Sequence, residues 1–397
     1  MILPGATLGM LGGGQLGRMF TVAARTMGYE VIVLDPDPDS PAGELATDHV
    51  CADFRDATAL EYLANTCDAV STEFENVPAA ALEALASRCV VRPGARAVAI
   101  TQDRIHEKTF LRDNGFPTAR FAVIRDAEDL AAGIAAVGAP ALLKVARFGY
   151  DGKGQARVAN LDEARAAWES MRHEPCVLES LVALDTEVSV VLARGIDGAI
   201  AAYPVGENTH VEGILNTTVV PARVNEALAR EAETIARRIA VGLDYVGVMA
   251  VEFFVRRGRV LVNEIAPRPH NSGHYTLDAA VTTQFEQQVR ALCGLPLGDT
   301  RLLSPVVMVN LLGELWRDGH PPPWDALLLH PNAKLHLYGK REARRGRKMG
   351  HYNVIAASLT DALATAEEIK RRLAAAAVAS RGGSAEPDRN AAVGNRT

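Results

Sequence analysis

Cysteine is scarce and scattered in this sequence, and positive charge is not in excess. The 397 residues contain no C-x-x-C pair, so neither a zinc site nor a disulfide framework is suggested. The formal net charge of −6 argues against a general nucleic-acid binder, which would be basic. No apolar run approaches the roughly 20 residues that span a bilayer, and the start of the chain is predicted to be a strand, not a signal peptide. We expect a cytoplasmic protein with reduced thiols and no membrane or nucleic-acid partner. The five cysteines are Cys51, Cys67, Cys89, Cys176 and Cys293.

The order of apolar segments predicts an α/β protein of several domains. Residues 6–100 alternate strand-like and helix-like stretches in β-α-β-α-β order, which is typical of a doubly wound parallel sheet. A helix over 101–115, with Thr101 as its N-cap, then leads into strands joined by glycine-rich loops. A helix over 225–242 precedes a hairpin, and a last helix is predicted near 361–379.

The first glycine-rich segment, LGGGQLGR, satisfies G-x-G-x-x-G with Gly12, Gly14 and Gly17. It follows an apolar run, and Asp35 ends the next apolar run 18 residues later. This pattern is the dinucleotide-binding fingerprint. The same strand–turn–helix geometry also suits any other phosphate at a helix N-terminus, so the ligand stays open at this point.

Two glutamates interrupt the apolar strands of the predicted hairpin. Glu252 and Glu264 are equidistant from Gly258, so a short loop centred there places them nearly opposite each other. Two carboxylates that close are unfavourable without a cation, and Mg²⁺ takes one or two carboxylates together with substrate phosphates. The alternative is an exposed hairpin with solvated acids.

A lysine and a glycine loop follow one another at RFGYDGKGQ. Lys144 ends the apolar run PALLK, and Gly149, Gly152 and Gly154 allow backbone N–H groups to approach phosphate oxygens. Lys153 adds positive charge, although the Walker A spacing is absent. The alternative is an ordinary mobile turn.

Polar side chains crowd the segment that follows Glu264. Five of them occupy seven positions and predict a lined pocket, although a core histidine explains any one of them alone. They are Arg268, His270, Asn271, Ser272 and His274.

A basic segment spans residues 339–351 of this acidic chain. It is interpreted as a receptor for a phosphorylated small substrate, with a solvated basic face or a nucleic-acid patch as the alternatives. Its cations are Lys340, Arg341, Arg344, Arg345, Arg347 and Lys348.

The segments GGGQLGRM, STEFENVP, FGYDGKGQ, VNEIAPRPHNSGH and GRKMGH occur in this order. As an ordered set, they resemble the ATP-grasp superfamily and, within it, the 5-(carboxyamino)imidazole ribonucleotide synthases of purine biosynthesis. The resemblance covers about residues 6–375. It implies a Rossmann-like N-terminal sheet, central ATP-grasp α+β domains and a small, mostly β C-terminal domain. The implied boundaries are 1–100 for the substrate-binding domain, 101–182 for the lid domain, 183–297 for the domain with the metal hairpin, 298–380 for the C-terminal domain and 381–397 for a disordered tail.

The resemblance implies an ATP-grasp ligase that joins bicarbonate to 5-aminoimidazole ribonucleotide through carboxyphosphate, releasing ADP and phosphate. It implies magnesium, with manganese as an alternative, held by Glu252 and Glu264, and a homodimer. The implied ATP contacts are Arg104, Lys144, Gly149, Tyr150, Asp151, Gly152, Lys153, Gly154, Gln155, Glu179, Ser180, Leu181, Val182, Glu187, His210, Asn263 and Glu264.

The implied ribonucleotide contacts are Gln15, Leu16, Glu73, Tyr150, Arg268, Asn271, Ser272, Lys340, Arg347 and Lys348. The residues expected to act in catalysis are Asp151, Lys153, Arg268 and His270. Three groups are candidates for accepting the proton of the amine: released phosphate, Asp151 and His270. Residues 147–154 are the candidate lid. Under this interpretation the first glycine loop cradles the phosphate of the ribonucleotide, and Glu73 meets its ribose hydroxyls.

Three alternatives differ in class or substrate. A formate-dependent glycinamide ribonucleotide transformylase shares the ATP-grasp plan and the first glycine loop. An NAD-dependent oxidoreductase would use the first domain but leaves the glutamate hairpin unexplained. A non-catalytic nucleotide-binding module would bind ATP without turnover.

Overall fold

The computed structural model describes residues 1–147, 149, 154–316 and 319–379, and its strands form three sheets. The predictions that fall on Tyr150, Asp151, Gly152 and Lys153 lie outside these ranges, and so does the predicted tail over 381–397.

The first sheet is parallel and occupies the N-terminal region, as the β-α-β pattern predicts. Its strand order is β3-β2-β1-β4-β5, with β1 at the centre. The elements are β1 (Thr7–Leu11), α1 (Gln15–Thr26), β2 (Glu30–Leu34), β3 (Asp48–Val50), α2 (Ala57–Thr66), β4 (Ala69–Thr72), α3 (Ala79–Ala86) and β5 (Val90–Val91).

A short helix, α4 (Ala95–Thr101), precedes the helix that is predicted over 101–115. The predicted helix itself is confirmed as α5 (Arg104–Asp113), which begins three residues later than expected. Thr101 ends α4 and donates its hydroxyl to the carbonyl of Ala97 at 3.0 Å. The N-cap of α5 is Asp103, whose Oδ1 accepts the N–H of Ile105 at 2.9 Å, so the prediction of Thr101 as N-cap is wrong.

The second sheet has four antiparallel strands in the order β6-β9-β7-β8. Its core packs Leu130, Leu143, Trp168 and Leu178 between the sheet and its helices. The elements are β6 (Phe121–Ile124), α6 (Ala127–Val137), β7 (Ala141–Val145), β8 (Gln155–Val158), α7 (Leu161–Ser170) and β9 (Cys176–Ser180).

The third sheet has nine strands and joins the central region to the C-terminal region. Its order is β15-β14-β10-β12-β13-β16-β18-β17, with β11 paired to β10. The elements are β10 (Thr186–Arg194), β11 (Ile200–Ala202), β12 (Gly206–Val211), β13 (Ile214–Val220), α8 (Glu226–Gly242), β14 (Gly247–Arg256), β15 (Arg259–Ala266), α9 (Thr276–Ala279), α10 (Gln284–Cys293), β16 (Val306–Leu312), α11 (Asp325–Leu328), β17 (Ala333–Leu337), β18 (Lys348–Ile355) and α12 (Leu359–Ala379).

One cleft is lined by residues from all three regions, among them Glu75 after β4, Arg104 at the start of α5, Gly149 after β7 and Glu264 in β15. Phe285 and Leu292 of α10 pack into the core of the first sheet beside Leu8 and Phe20. The predicted helix over 225–242 is confirmed as α8, and its N-cap Asn225 accepts the N–H of Leu228 at 2.9 Å. Among the residues that the structure describes, no helix is both long and apolar enough to cross a membrane.

Candidate functional site

The β14–β15 hairpin places Glu252 opposite Glu264 by means of a β-bulge. The turn residues Arg257 and Gly258 both have positive φ. From this turn the two strands pair residue for residue as far as Phe253, which lies opposite Val262. The next pair is Glu252 with Glu264, so Asn263 is the extra residue of a bulge. The predicted opposition of the two glutamates is confirmed, whereas the bulge that produces it was not predicted.

The two opposed carboxylates differ in their electrostatic surroundings. Burial and, after it, the charge of Glu264 together raise the pKa of Glu252 to about 7. Burial acts in the same direction on Glu264, but Arg104, whose Nη1 lies 3.1 Å from Glu264 Oε2, brings its pKa below the usual value. A divalent cation between the carboxylates would relieve this repulsion. Mg²⁺ commonly takes one or two carboxylates and completes its coordination with substrate phosphates, so this pair of carboxylates suits it.

His270 completes the surroundings of Glu252. Its Nε2 lies 3.3 Å from Glu252 Oε1, and its Nδ1 accepts the hydroxyl of Ser272 at 2.9 Å. The hydroxyl of Ser272 accepts in turn from Ser189 at 2.8 Å. Burial and then the charge of Arg268 hold the pKa of His270 well below its usual range. The ring is therefore neutral and donates its Nε2–H towards Glu252.

A buried cluster of two lysines and one glutamate lies next to this hairpin. Glu179 Oε2 is 3.2 Å from Lys144 Nζ, and Glu179 Oε1 is 3.5 Å from Lys108 Nζ. Burial would raise the pKa of Glu179, but the two ammonium groups lower it to about 2. Lys144 and Glu179 were predicted and Lys108 was not, although a lysine between the apolar positions Ile105 and Leu111 signals a buried charge.

The other predicted ATP contacts lie on several elements. The carbonyl of Gly149 accepts from Arg104 Nη2 at 3.1 Å, and His210 Nδ1 lies 2.8 Å from Glu187 Oε2. Burial alone would lower the pKa of His210, but the close contact with the Glu187 carboxylate and the charge of Glu252 raise it on balance. Gly154 has a positive φ and precedes β8, which begins at Gln155; Ser180, Leu181 and Val182 lie at and after the end of β9.

The first glycine loop binds the protein's own carboxylates. The N–H groups of Gly14 and Gly17 donate to the two carboxylate oxygens of Glu73 at 2.8 and 2.6 Å, and the N–H of Gly13 donates to Asp35 at 2.6 Å. A Cβ on Gly14 would lie 2.4 Å from Glu73 Oε1, so this glycine permits the close approach. The expectation that these N–H groups cradle a phosphate is wrong in this structure, because two negative side chains already occupy them.

Contacts between distant segments bring the first sheet and the third sheet together. Lys340 Nζ donates to Gln15 Oε1 and to the carbonyl of Lys348, both at 2.7 Å. Arg268 Nε donates to Glu75 Oε2 at 2.5 Å. Glu75 lies in STEFENVP, yet it was not predicted as a site residue. The structure therefore gathers Gln15, Arg268 and Lys340 at one junction.

Four predicted pocket or ribonucleotide residues have structural partners. The side chain of Leu16 is buried in the core of the first sheet, so only its backbone can face a ligand. The amide of Asn271 exchanges two hydrogen bonds with Asn310, at 3.0 and 2.6 Å. His274 is fully buried, and Arg347 donates to the carbonyl of Glu342 at 2.9 Å. For His274 the core-histidine alternative is therefore the better interpretation.

Comparison with known proteins shows the family to which this chain is related. Three family models match it: the ribonucleotide synthetase preATP-grasp domain over 5–102, the ATP-grasp domain over 109–285 and the phosphoribosylaminoimidazole carboxylase C-terminal domain over 306–365. The N5-carboxyaminoimidazole ribonucleotide synthase of Brucella melitensis is 47% identical over 351 residues, which cover 88% of this chain and 96% of that protein. The chain belongs to the N5-carboxyaminoimidazole ribonucleotide synthase family. The synthase of Bacillus subtilis is 43% identical over 352 residues, 88% of this chain and 92% of its own.

Solved structures of the family agree with this assignment. The ADP complex of an N5-carboxyaminoimidazole ribonucleotide synthetase is 41% identical and superposes with a TM-score of 0.87, covering 93% of this chain and 97% of that one. The Aspergillus clavatus enzyme in complex with ADP and 5-aminoimidazole ribonucleotide is 32% identical, with a TM-score of 0.87 and coverages of 93% and 99%.

The chain is thus an ATP-grasp ligase that binds ATP and carboxylates 5-aminoimidazole ribonucleotide in purine biosynthesis. The expected family, fold class and reaction are confirmed. The oxidoreductase, transformylase and non-catalytic alternatives are set aside.

Proposed function

We propose that the carboxyl group comes from bicarbonate and that the cleft around Glu264, Arg104 and Lys144 activates it with ATP. A bicarbonate oxygen attacks the γ-phosphorus, ADP leaves, and carboxyphosphate forms. The exocyclic amine of the ribonucleotide then attacks the carboxyl carbon, the carbon–oxygen bond to phosphate breaks, and the amine loses a proton. Bicarbonate is a poor electrophile at neutral pH, so this sequence replaces hydroxide by phosphate as the leaving group.

The observation that carries this proposal is the pairing of Glu252 with Glu264 beside the buried lysines. Phosphoryl transfer depends on positioning and on neutralising the charge of the phosphate oxygens. Arg104 and Lys144 supply fixed cations, and Glu179 holds Lys144 in place through the contact at 3.2 Å. We assign ATP to these residues and to the other predicted contacts, among them His210, Glu187 and Asn263.

Glu252 and Glu264 are the proposed holders of Mg²⁺, with Mn²⁺ as a substitute. When bound, the ion would neutralise phosphate charge and accept oxygen ligands from ATP. The fit rests on the chemistry of the donors, because two carboxylates lie opposite each other on neighbouring strands. Burial and the charge of Glu264 together raise the pKa of Glu252 to about 7. Arg104 offsets the charge of only one of them directly.

The ribonucleotide is proposed to bind at the junction of the first and third sheets. Lys340 reaches Gln15 there, and Arg268 is oriented by Glu75. Glu73 is held by the loop N–H groups, which keeps its carboxylate fixed near Gln15. Lys348 and Arg347 are assigned to the phosphate end, together with Ser272 and the backbone of Leu16.

The proton of the attacking amine has three candidate acceptors: released phosphate, Asp151 and His270. The Nδ1 of His270 accepts the Ser272 hydroxyl, and its Nε2–H faces Glu252, so both ring nitrogens are engaged. We therefore favour released phosphate or Asp151 and assign His270 to orienting Glu252. Asp151 and Lys153 stay predictions from the sequence.

We further propose the domain division 1–100, 101–182, 183–297 and 298–380. The matches of the three family models over 5–102, 109–285 and 306–365 support the boundaries near 100 and 298. The boundary at 182 lies inside the second match and rests on the gap between β9 and β10. β16 continues the sheet of β13 and so connects the last two units. The homodimer and the cytoplasmic location stay predictions. Sedimentation of the purified chain would test the former.

A product assay tests the proposed reaction. The purified protein is incubated with ATP, Mg²⁺, 5-aminoimidazole ribonucleotide and ¹⁴C-bicarbonate. We expect an acid-labile labelled product and one ADP for each carboxylation, both lost when any substrate is omitted. ADP formation with formate and glycinamide ribonucleotide in place of bicarbonate and the imidazole substrate would contradict the proposal.

A further inference from the structure

The bulge at Asn263 needs support from outside its own hairpin. As the extra residue of the bulge, Asn263 stands outside the regular pairing of β14 with β15. Its carbonyl accepts a hydrogen bond from Lys108 Nζ at 2.9 Å. Lys108 is fully buried, so this bond is formed away from water, where an unpaired carbonyl or ammonium would be costly.

The neighbouring residue of α5 holds the other side of Glu264. Glu107 Oε1 accepts the N–H of Ile265 at 2.6 Å, and Glu107 is 1% exposed. Two consecutive residues of α5 thus bind the backbone directly before and directly after Glu264. Neither side chain contacts the Glu264 carboxylate through any hydrogen bond found in the described part of the chain.

The segment after α5 adds further hydrogen bonds to the backbone of β15. The carbonyl of Pro117 accepts the N–H of Val262 at 2.7 Å, and the Thr118 hydroxyl donates to the carbonyl of Val262 at 2.9 Å. Lys108 also donates to the Thr118 hydroxyl, at 3.2 Å. The strand is therefore held from Val262 to Ile265 by elements more than a hundred residues earlier in the chain.

The ammonium group of Lys108 connects these backbone contacts to the residues assigned to ATP. Its ammonium lies 3.5 Å from one oxygen of Glu179, and Lys144 lies 3.2 Å from the other. Lys144, which is assigned to ATP, is therefore connected through Glu179 and Lys108 to the carbonyl of Asn263, the residue directly before Glu264. These groups form one buried network.

We propose that Lys108 and Glu107 are positioning residues. Their hydrogen bonds hold the backbone of the Asn263 bulge and thereby orient the Glu264 carboxylate towards the metal–nucleotide site. The proposal rests on the assignment of Glu264 to the metal made above. Bulges redirect side chains next to active sites, and groups that orient metal ligands commonly change metal affinity or activity by about 10- to 100-fold when they are removed.

Four variants test the proposal. Lys108→Met keeps the length of the side chain and removes the donor to Asn263. Glu107→Leu removes the acceptor for the Ile265 N–H, whereas Glu107→Gln retains an oxygen for it. Leu111→Ala is the matched control, because Leu111 is a fully buried core residue of the same helix and is absent from the network.

The readout is binding of Mn²⁺ to the protein–ADP complex, followed by electron paramagnetic resonance, with kcat and the KM for ATP measured alongside. We expect Lys108→Met and Glu107→Leu to weaken Mn²⁺ binding by about 10- to 100-fold. Glu107→Gln should stay within about threefold of the original protein. Leu111→Ala should lower thermal stability and leave Mn²⁺ binding unchanged.

Unchanged Mn²⁺ binding in Glu107→Leu and Lys108→Met would overturn the proposal, and so would an equal loss in Leu111→Ala. If Lys108→Met does not fold, the contrast between Glu107→Leu and Glu107→Gln decides alone. Failure of the metal assignment is recognised separately, because Glu264→Gln would then bind Mn²⁺ as tightly as the original protein.

Discussion

Replacing Glu179 by glutamine should expose how strongly the buried lysine cluster depends on one negative charge. Glu179 is 2% exposed and lies between Lys108, which is fully buried, and Lys144. Glutamine keeps the size of the side chain and removes the charge. Two ammonium groups then remain in the cleft without a compensating carboxylate.

The pKa of Glu179 sets the expected magnitude. A carboxyl group whose pKa falls from an ordinary value of 4.5 to about 2 on folding contributes about 3 kcal/mol at neutral pH. Removal of one partner from a buried ion pair costs roughly 3 to 5 kcal/mol in other proteins, which agrees with this figure. We therefore expect Glu179→Gln to lower the free energy of unfolding by about 3 kcal/mol.

Urea unfolding followed by the fluorescence of Trp168 measures this loss, because Trp168 packs in the core of the sheet that carries Glu179. Trp316 and Trp324 are replaced by phenylalanine in every variant so that Trp168 alone reports. The matched control is Glu233→Gln, which alters an exposed helical pair with Arg237 and should change stability by less than about 0.5 kcal/mol.

A double-mutant cycle tests the reason for the loss. If uncompensated charge is the cause, Lys108→Met combined with Glu179→Gln should cost about 1 to 3 kcal/mol less than the sum of the single changes. Additivity of the two changes would refute the reasoning, and so would a loss in Glu179→Gln no larger than in the control.

Three further outcomes are expected. The stability difference between the original protein and Glu179→Gln should shrink as the pH falls from 4.5 towards 2, because the lowered pKa of Glu179 stabilises the fold only where the unfolded carboxyl group is ionised. Urea midpoints measured at a series of acidic pH values check this. A difference that grows in acid would contradict it. Asp103→Ala should cost about 1 kcal/mol of stability and Asp103→Asn clearly less, because the Asp103 side chain caps α5 by accepting the N–H of Ile105. Equal losses of the two variants in thermal unfolding would argue against the cap. Lys340→Met should raise the KM for the ribonucleotide and leave the KM for ATP unchanged, because Lys340 contacts Gln15 at the start of α1. Steady-state kinetics would show parallel changes in both KM values if this placement is wrong.

The hairpin shows how far local sequence reasoning reaches. The spacing of Glu252 and Glu264 about Gly258 was enough to predict that they oppose each other. A two-residue turn in strict register would instead pair Glu252 with Asn263, and the bulge restores the predicted pair. The contacts that accompany the bulge come from Lys108 and Glu107, so no inspection of the hairpin alone could have revealed it.

The first glycine loop shows a different limit. Its motif correctly indicates N–H groups directed at a negative group near a helix N-terminus. The negative groups are Glu73 and Asp35, and Glu73 is more than fifty residues away in the chain. The motif describes the backbone geometry, whereas its partner depends on how β4 pairs with β1. The same reason explains why Glu75 was missed as the partner of Arg268.

Transfer of ¹⁸O from bicarbonate tests the central claim most directly. The proposed sequence breaks the bond between the carboxyl carbon and the bridging oxygen, so that oxygen leaves with phosphate. With ¹⁸O-labelled bicarbonate, ATP and 5-aminoimidazole ribonucleotide, mass spectrometry should find one ¹⁸O in each phosphate released. Phosphate free of ¹⁸O, formed together with the carboxylated product, would contradict the account.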